Sequence, residues 1–207
     1  MAKKEDPFEV VERLRLAEDV DPSLTKSWWW FRNNVKRLYV DQKLKYSDFK
    51  ADRVPAPKTR KSGLMYMYLY NPKNKKTLKY YDLFPLVIIT EINRKHITGL
   101  NLHYLSPRPR QQLLNTLRTV TTNEKYDATT RFKISYQYLN SLAKFKLFRP
   151  CFKKYIRKRL QTPMLLVPSN EWNVAINLPT EDFKKASIRT VHRDSINRVN
   201  GNRAPGT

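Results

Sequence analysis

Between residues 63 and 105 the chain spells LMYMYLY, LKYYDLF, PLVIITEI and ITGLNLHYL, four runs of strong strand formers. They are separated by turn residues, at Asn71, Pro72, Lys73 and Asn74 and again at Asn93, Arg94 and Lys95. Runs of this length between turn signals predict a small antiparallel sheet, curled towards a barrel. Tyr66, Tyr68 and Tyr70 alternate with Met65, Met67 and Leu69, which puts a tyrosine row on one sheet face. Such a row either stacks bases or packs beneath neighbouring helices.

The flanks read as helical. Asp21 and Pro22 form a helix-opening pair, and Leu24, Trp28, Phe31, Val35 and Leu38 recur at the three- and four-residue spacing of one helix face. Trp29 and Trp30 fall off that stripe and are candidate partner-binding residues, with burial under the next segment as the competing reading. Residues 50–62, KADRVPAPKTRKS, predict an extended basic linker. Ser106 and Pro107 open a helix carrying Leu113, Leu114 and Leu117, and Thr129 or Thr130 caps a second through Phe132, Tyr136 and Leu139. A third is predicted from Pro150, with Phe152, Tyr155, Ile156 and Leu160 on one side and Lys153, Lys154, Arg157 and Lys158 on the other. PMLLVP then reads as a strand, SNEWNVAINLPTEDF as short helical turns, and the tail from Ser187 as flexible.

Charge supplies the functional argument. Lys and Arg number 41 against 18 acidic residues, a net charge of +23, which calls for a polyanionic partner. No acidic residue separates Asp127 from Glu171, while Arg131, Lys133, Lys144, Lys146, Arg149, Lys153, Lys154, Arg157, Lys158 and Arg159 fall inside that interval. These ten are the candidate nucleic-acid-binding residues, with the predicted helix after Pro150 as a rail for phosphates. The same pattern suits an acidic protein or an anionic membrane.

Catalysis finds little support. His96, His103 and His192 lack metal-ligand spacing, and with glycines at 63, 99, 201 and 206 there is no phosphate-cradling loop. Asp82 and Glu91 are the nearest approach to a metal-dependent nuclease, but Asn93 stands where a lysine usually follows the second acid. A lone cysteine, Cys151, excludes an internal disulfide and a thiolate zinc site. No apolar run is long enough to span a bilayer, and the opening MAKKEDPFEVVERLRL lacks the apolar core of a signal peptide. The expectation is therefore a non-enzymatic binding protein with no cofactor, no metal and no membrane partner.

Several phrases in order, Tyr80-Tyr81-Asp82 with Phe84-Pro85-Leu86, the stretch GLNLHYL at residues 99–105, Ser169 with Glu171-Trp172, and LPTE with Phe183, resemble a family of small virion proteins of T4-like, especially marine, tailed bacteriophages. The resemblance covers residues 63–187 and leaves the tryptophan cluster outside. It implies a DNA end protector, a virion protein assembled in the host cytoplasm that caps the end of the packaged double-stranded genome among other virion subunits. The alternative it leaves open is a tail, baseplate or neck assembly protein whose basic face docks another subunit. The expected fold is α+β: an N-terminal helical arm (1–49), the linker (50–62), a core (63–186) with a small antiparallel, SH3-like sheet packed with helices, and a flexible basic C-terminal tail (187–207).

Overall fold

A computed structural model of the chain describes residues 5–22, 27–49, 62–121, 137–139, 141–142, 144 and 146–199. Among the described residues seven strands follow one another: β1 (Met65–Met67), β2 (Tyr81–Asp82), β3 (Leu86–Ile92), β4 (His96–Asn101), β5 (Phe152–Ile156), β6 (Leu165–Val167) and β7 (Phe183–Lys184). Five form an antiparallel sheet in the order β5-β4-β3-β1-β6, and β2 pairs with β7 apart from it. With helices packed on the sheet, the fold is α+β.

The sheet curls. Three strand spacings separate β5 from β1, roughly 14 Å in a flat sheet, yet Tyr155 of β5 lies edge-to-face with Tyr70 at 4.9 Å and with Tyr68 at 5.5 Å. A bridge between Tyr70 and Leu160 returns the chain from the β5 edge to the β1 side, and a bulge between Ile89 and Glu91 increases the twist. Gly99 sits opposite Ile89, where an added Cβ would lie 2.5 Å from Val87 Cγ1 and 2.6 Å from the Ile88 carbonyl oxygen. Only glycine permits that approach.

Curling divides the interior in two. The concave side encloses Tyr66, Tyr68, Tyr70, Val87, Ile89, Ile97, Tyr155 and Met164. The tyrosine row is therefore a core and presents no face to bases. The convex side, with Met65, Met67, Leu86, Ile88 and Leu100, packs against helices. Among these, α1 (Pro7–Ala17) starts at an Asp6 cap, whose carboxylate accepts from the Phe8 amide at 2.9 Å, and contributes Phe8 and Val11. The helix α2 (Ser27–Leu38) contributes Phe31 and Val35, and α3 (Pro107–Thr121) contributes Leu113, Leu114 and Leu117. The opening of α3 at Pro107 follows the sequence signal; α2 is described from Ser27, whose hydroxyl donates to the Asp21 carbonyl, and residues 23–26 lie outside the described residues.

Two expectations are corrected. Residues after Pro150 form a single 3-10 turn (Arg149–Cys151) and then β5, because the β4 edge offers a row of unpaired backbone groups that five residues from Phe152 to Ile156 complete. The segment expected to be a flexible tail contains a helix, Ile188–Val199, with Val191 in the core and Asp194 paired to Lys79 at 2.7 Å. Residues 200–207, most of the predicted linker and most of the predicted helix after Thr129 lie outside the described residues.

Candidate nucleic-acid interface

The basic residues gather at one end of the curled sheet through backbone geometry. The β3–β4 hairpin turns at Asn93, whose side-chain oxygen accepts from the amides of Lys95 at 3.0 Å and His96 at 2.7 Å. This local turn leaves Arg94 and Lys95 exposed at the tip. Antiparallel pairing of β5 with β4 ends at His96 and Ile156, so the following 3-10 turn, Arg157–Arg159, lands beside that tip. Arg157 donates from its amide to the Lys95 carbonyl at 2.9 Å and from its guanidinium to the Asn93 carbonyl at 3.1 Å. On the other flank the Asn71 amide donates to the Arg159 carbonyl at 3.1 Å, bringing up the exposed turn that carries Lys73 and Lys75.

Arg94, Lys95, Arg157, Lys158, Arg159, Lys73 and Lys75 thus frame one end of the sheet. Among the described residues no carboxylate pairs with any of them. The exposed carboxylate Glu91 lies at the base of the same hairpin. The end is a cationic surface whose turns are held by backbone and side-chain hydrogen bonds.

At the opposite end of β4 the charges are paired and buried. Asp82 accepts from His103 Nδ1 at 2.7 Å and from Asn101 Nδ2 at 3.0 Å, and Asn101 also donates to the Tyr155 hydroxyl at 3.0 Å. His103 Nε2 faces Thr180 Oγ1 at 3.1 Å. Arg110 donates to the carbonyls of Leu105 at 2.7 Å and Ile176 at 3.1 Å and to Glu181 at 2.6 Å. Burial acts to raise the Glu181 pKa, but the Arg110 charge and hydrogen bond outweigh it and hold the carboxyl at about 2. The order Asp82, His103, Thr180 matches that of a nucleophilic triad. Here His103 and Thr180 are sealed at 0% exposure, so the relay clamps β2, the end of β4 and the 180–182 segment together. The phrases that carry the family resemblance, YYD, GLNLHYL and LPTE, meet in this clamp.

The profile of the family described as Phage T4 terminal DNA protecting protein matches residues 8–197. The chain belongs to that family. Neither a curated protein nor a solved structure matches the chain. The terminal DNA protecting family match reaches well beyond residues 63–187 and takes in α1, α2 and the tryptophan cluster.

Of the ten residues picked from the sequence, the structure brings Arg157, Lys158 and Arg159 together. Lys144, Lys146 and Arg149 are exposed but precede β5, whose far end leads into the Arg157–Arg159 turn. Arg131 and Lys133 lie outside the described residues. Lys153 and Lys154 are neighbours in a strand and point to opposite faces. Lys154 is exposed, whereas the Lys153 ammonium sits 3.8 Å from the Tyr104 ring centre, and burial lowers its pKa to about 8. The reading of the sequence missed Arg94, Lys95, Lys73 and Lys75; the first three occupy the very turns that it identified and Lys75 follows one of them, and pairing of those turns with residues 157–159 is what assembles them. Asp82 and Glu91 do not converge, the first buried in the clamp and the second exposed near the far end of β3. Among the described residues no group of three or more His, Cys, Asp or Glu could hold a metal, and no helix is long and apolar enough to cross a membrane.

Proposed function

We propose that this protein is a non-enzymatic virion component that shields the end of a linear phage genome, gripping double-stranded DNA through sequence-independent phosphate contacts at the basic end of its sheet. Membership of the terminal DNA protecting family carries the reading, and the cations around Arg94, Lys95 and Lys158, with which no described carboxylate pairs, give it a surface. Backbone-held turns suit a protein that must hold any terminal sequence, because phosphate contacts position a duplex without reading it.

The test is protection of a linear blunt duplex from an end-dependent exonuclease, with binding measured across a salt series. Protection that fades steeply as salt rises is the expected result, since each neutralised phosphate releases counterions. Absence of DNA binding at low salt overturns the reading and leaves the basic end as a docking surface for an acidic subunit in the tail, baseplate or neck.

A further inference from the structure

A basic surface alone does not distinguish a DNA end from the interior of a duplex, because phosphates line both. What an end adds is the exposed flat face of its last base pair. Base faces within a duplex are covered by their neighbours, so an aromatic ring held at the surface has a stacking partner only at an end or at an unpaired base.

Helix α2 carries such a ring. Trp29 is 56% exposed, while Phe31 and Val35 anchor the opposite side of the helix at 1% and 2%. Trp28 packs against it with centroids 4.5 Å apart, and the Arg32 guanidinium lies 5.3 Å from the Trp28 ring and 5.4 Å from the Trp29 ring. The indole is therefore supported on two sides with more than half of its surface open. At helical spacing Arg32, Asn33 and Lys36 share its face, with Lys36 exposed, and α2 contains no carboxylate. Trp30 turns away, donating its indole N–H to Glu18 at 2.5 Å, which ties it to the α1 side.

We infer that Trp29, flanked by Arg32 and Lys36, is an end-recognition site that stacks on the exposed base face of a DNA terminus while the two cations take the adjacent phosphates. The inference rests on the DNA-binding reading above and adds to it the discrimination of ends. The charge of this face suits a nucleic-acid terminus, since an aromatic ring bordered by cations is the arrangement that holds bases and backbone together.

The experiment compares a blunt linear duplex with a covalently closed circle of the same length and composition, for the wild-type chain, Trp29→Ala and Trp29→Tyr. The expected wild-type preference for the linear form is about tenfold, within the range of one aromatic–base stack. Trp29→Ala removes that preference and leaves circle affinity unchanged, Trp29→Tyr retains most of it, and all three melt at the same temperature because the side chain is exposed. An undiminished preference in Trp29→Ala overturns the end-recognition site while leaving DNA binding intact. Binding without preference in the wild type also overturns the site, and absence of any DNA binding overturns both readings. Loss of association with another virion subunit in Trp29→Ala, with end preference retained, assigns the face to a protein instead.

Discussion

The two ends of β4 handle charge in opposite ways. At its Asn101 end, Asp82, His103 and Arg110 are buried, Glu181 is partly buried, and His103 pairs with Asp82 as Arg110 does with Glu181. At its His96 end, Arg94, Lys95 and Lys158 are exposed, with no described carboxylate paired to them. A buried charge must be matched within the chain because it has lost its water, whereas an exposed one keeps its water and remains available. The difference teaches that the phrases carrying the family resemblance and the proposed DNA-binding cations need not coincide: YYD, GLNLHYL and LPTE build the clamp, and the clamp fixes the sheet whose other end carries the cations.

The most severe way to break this contrast is at the clamp. Arg110→Met strands the Glu181 carboxylate in the interior, and unfolding by urea at neutral pH should show a loss of about 3–5 kcal/mol. Retention of full stability would mean that the pair is solvated and the contrast false. The acid limb adds a second check. Glu181 falls from 4.5 to about 2 on folding, so its contribution is complete above pH 4.5 and disappears as pH drops towards 2. Glu181→Gln should flatten stability across that window, by on the order of 3 kcal/mol in the wild type from the size of the shift.

The next effect belongs to the other end. Changing Arg94, Lys95 and Lys158 together to Ala should leave stability within about 0.5 kcal/mol, as surface substitutions do. DNA affinity should fall, with the dependence of log K on log salt shallower by about 2.7 if each side chain meets one phosphate. An unchanged slope would move the DNA surface elsewhere.

Lys153 and Lys154 sharpen the comparison within two adjacent residues. Lys153→Met removes a partly buried ammonium beside Tyr104 and should maintain or raise stability, by about 1 kcal/mol, without altering DNA affinity. Because the Lys153 pKa drops from 10.5 to about 8 on folding, the unfolded chain binds more protons between those values, and wild-type stability should rise with pH across that window; Lys153→Met should lose the rise. Lys154→Met should do the reverse, weakening DNA binding at constant stability. Urea melts from pH 7 to 10 and a binding titration separate the pair.

These neighbours also mark where the sequence could be read and where it could not. The sheet was legible because LMYMYLY, PLVIITEI and ITGLNLHYL have strand composition and clear turns between them. FKKYI was not, since Phe152, Tyr155, Ile156 and Leu160 also fit a helix face. Only the β4 edge, remote in sequence, decides between the two. The helix Ile188–Val199 was hidden for a related reason: its composition is polar, and what orders it is burial of Val191 and the pairing of Asp194 with Lys79. Basic character was visible throughout, but the assembly of Arg94 and Lys95 with Arg157 and Lys158 depends on β-register, which composition does not encode.

Arg157 joins the two behaviours and carries the smallest predicted effect. Its guanidinium donates inward to the Asn93 carbonyl at 3.1 Å and stiffens the hairpin tip, while its charge adds to the outer surface. Arg157→Lys keeps the charge but replaces the planar fork with a single ammonium, so the tip loses its brace. Affinity for duplex DNA should fall only about threefold, less than one contact of roughly 1 kcal/mol is worth, and the salt slope should stay as in the wild type. Arg157→Ala should add a slope change of about 0.9 to that loss if the charge meets a phosphate. Equal slopes for the two variants would show that Arg157 serves the hairpin alone and that the cationic surface is carried by its neighbours.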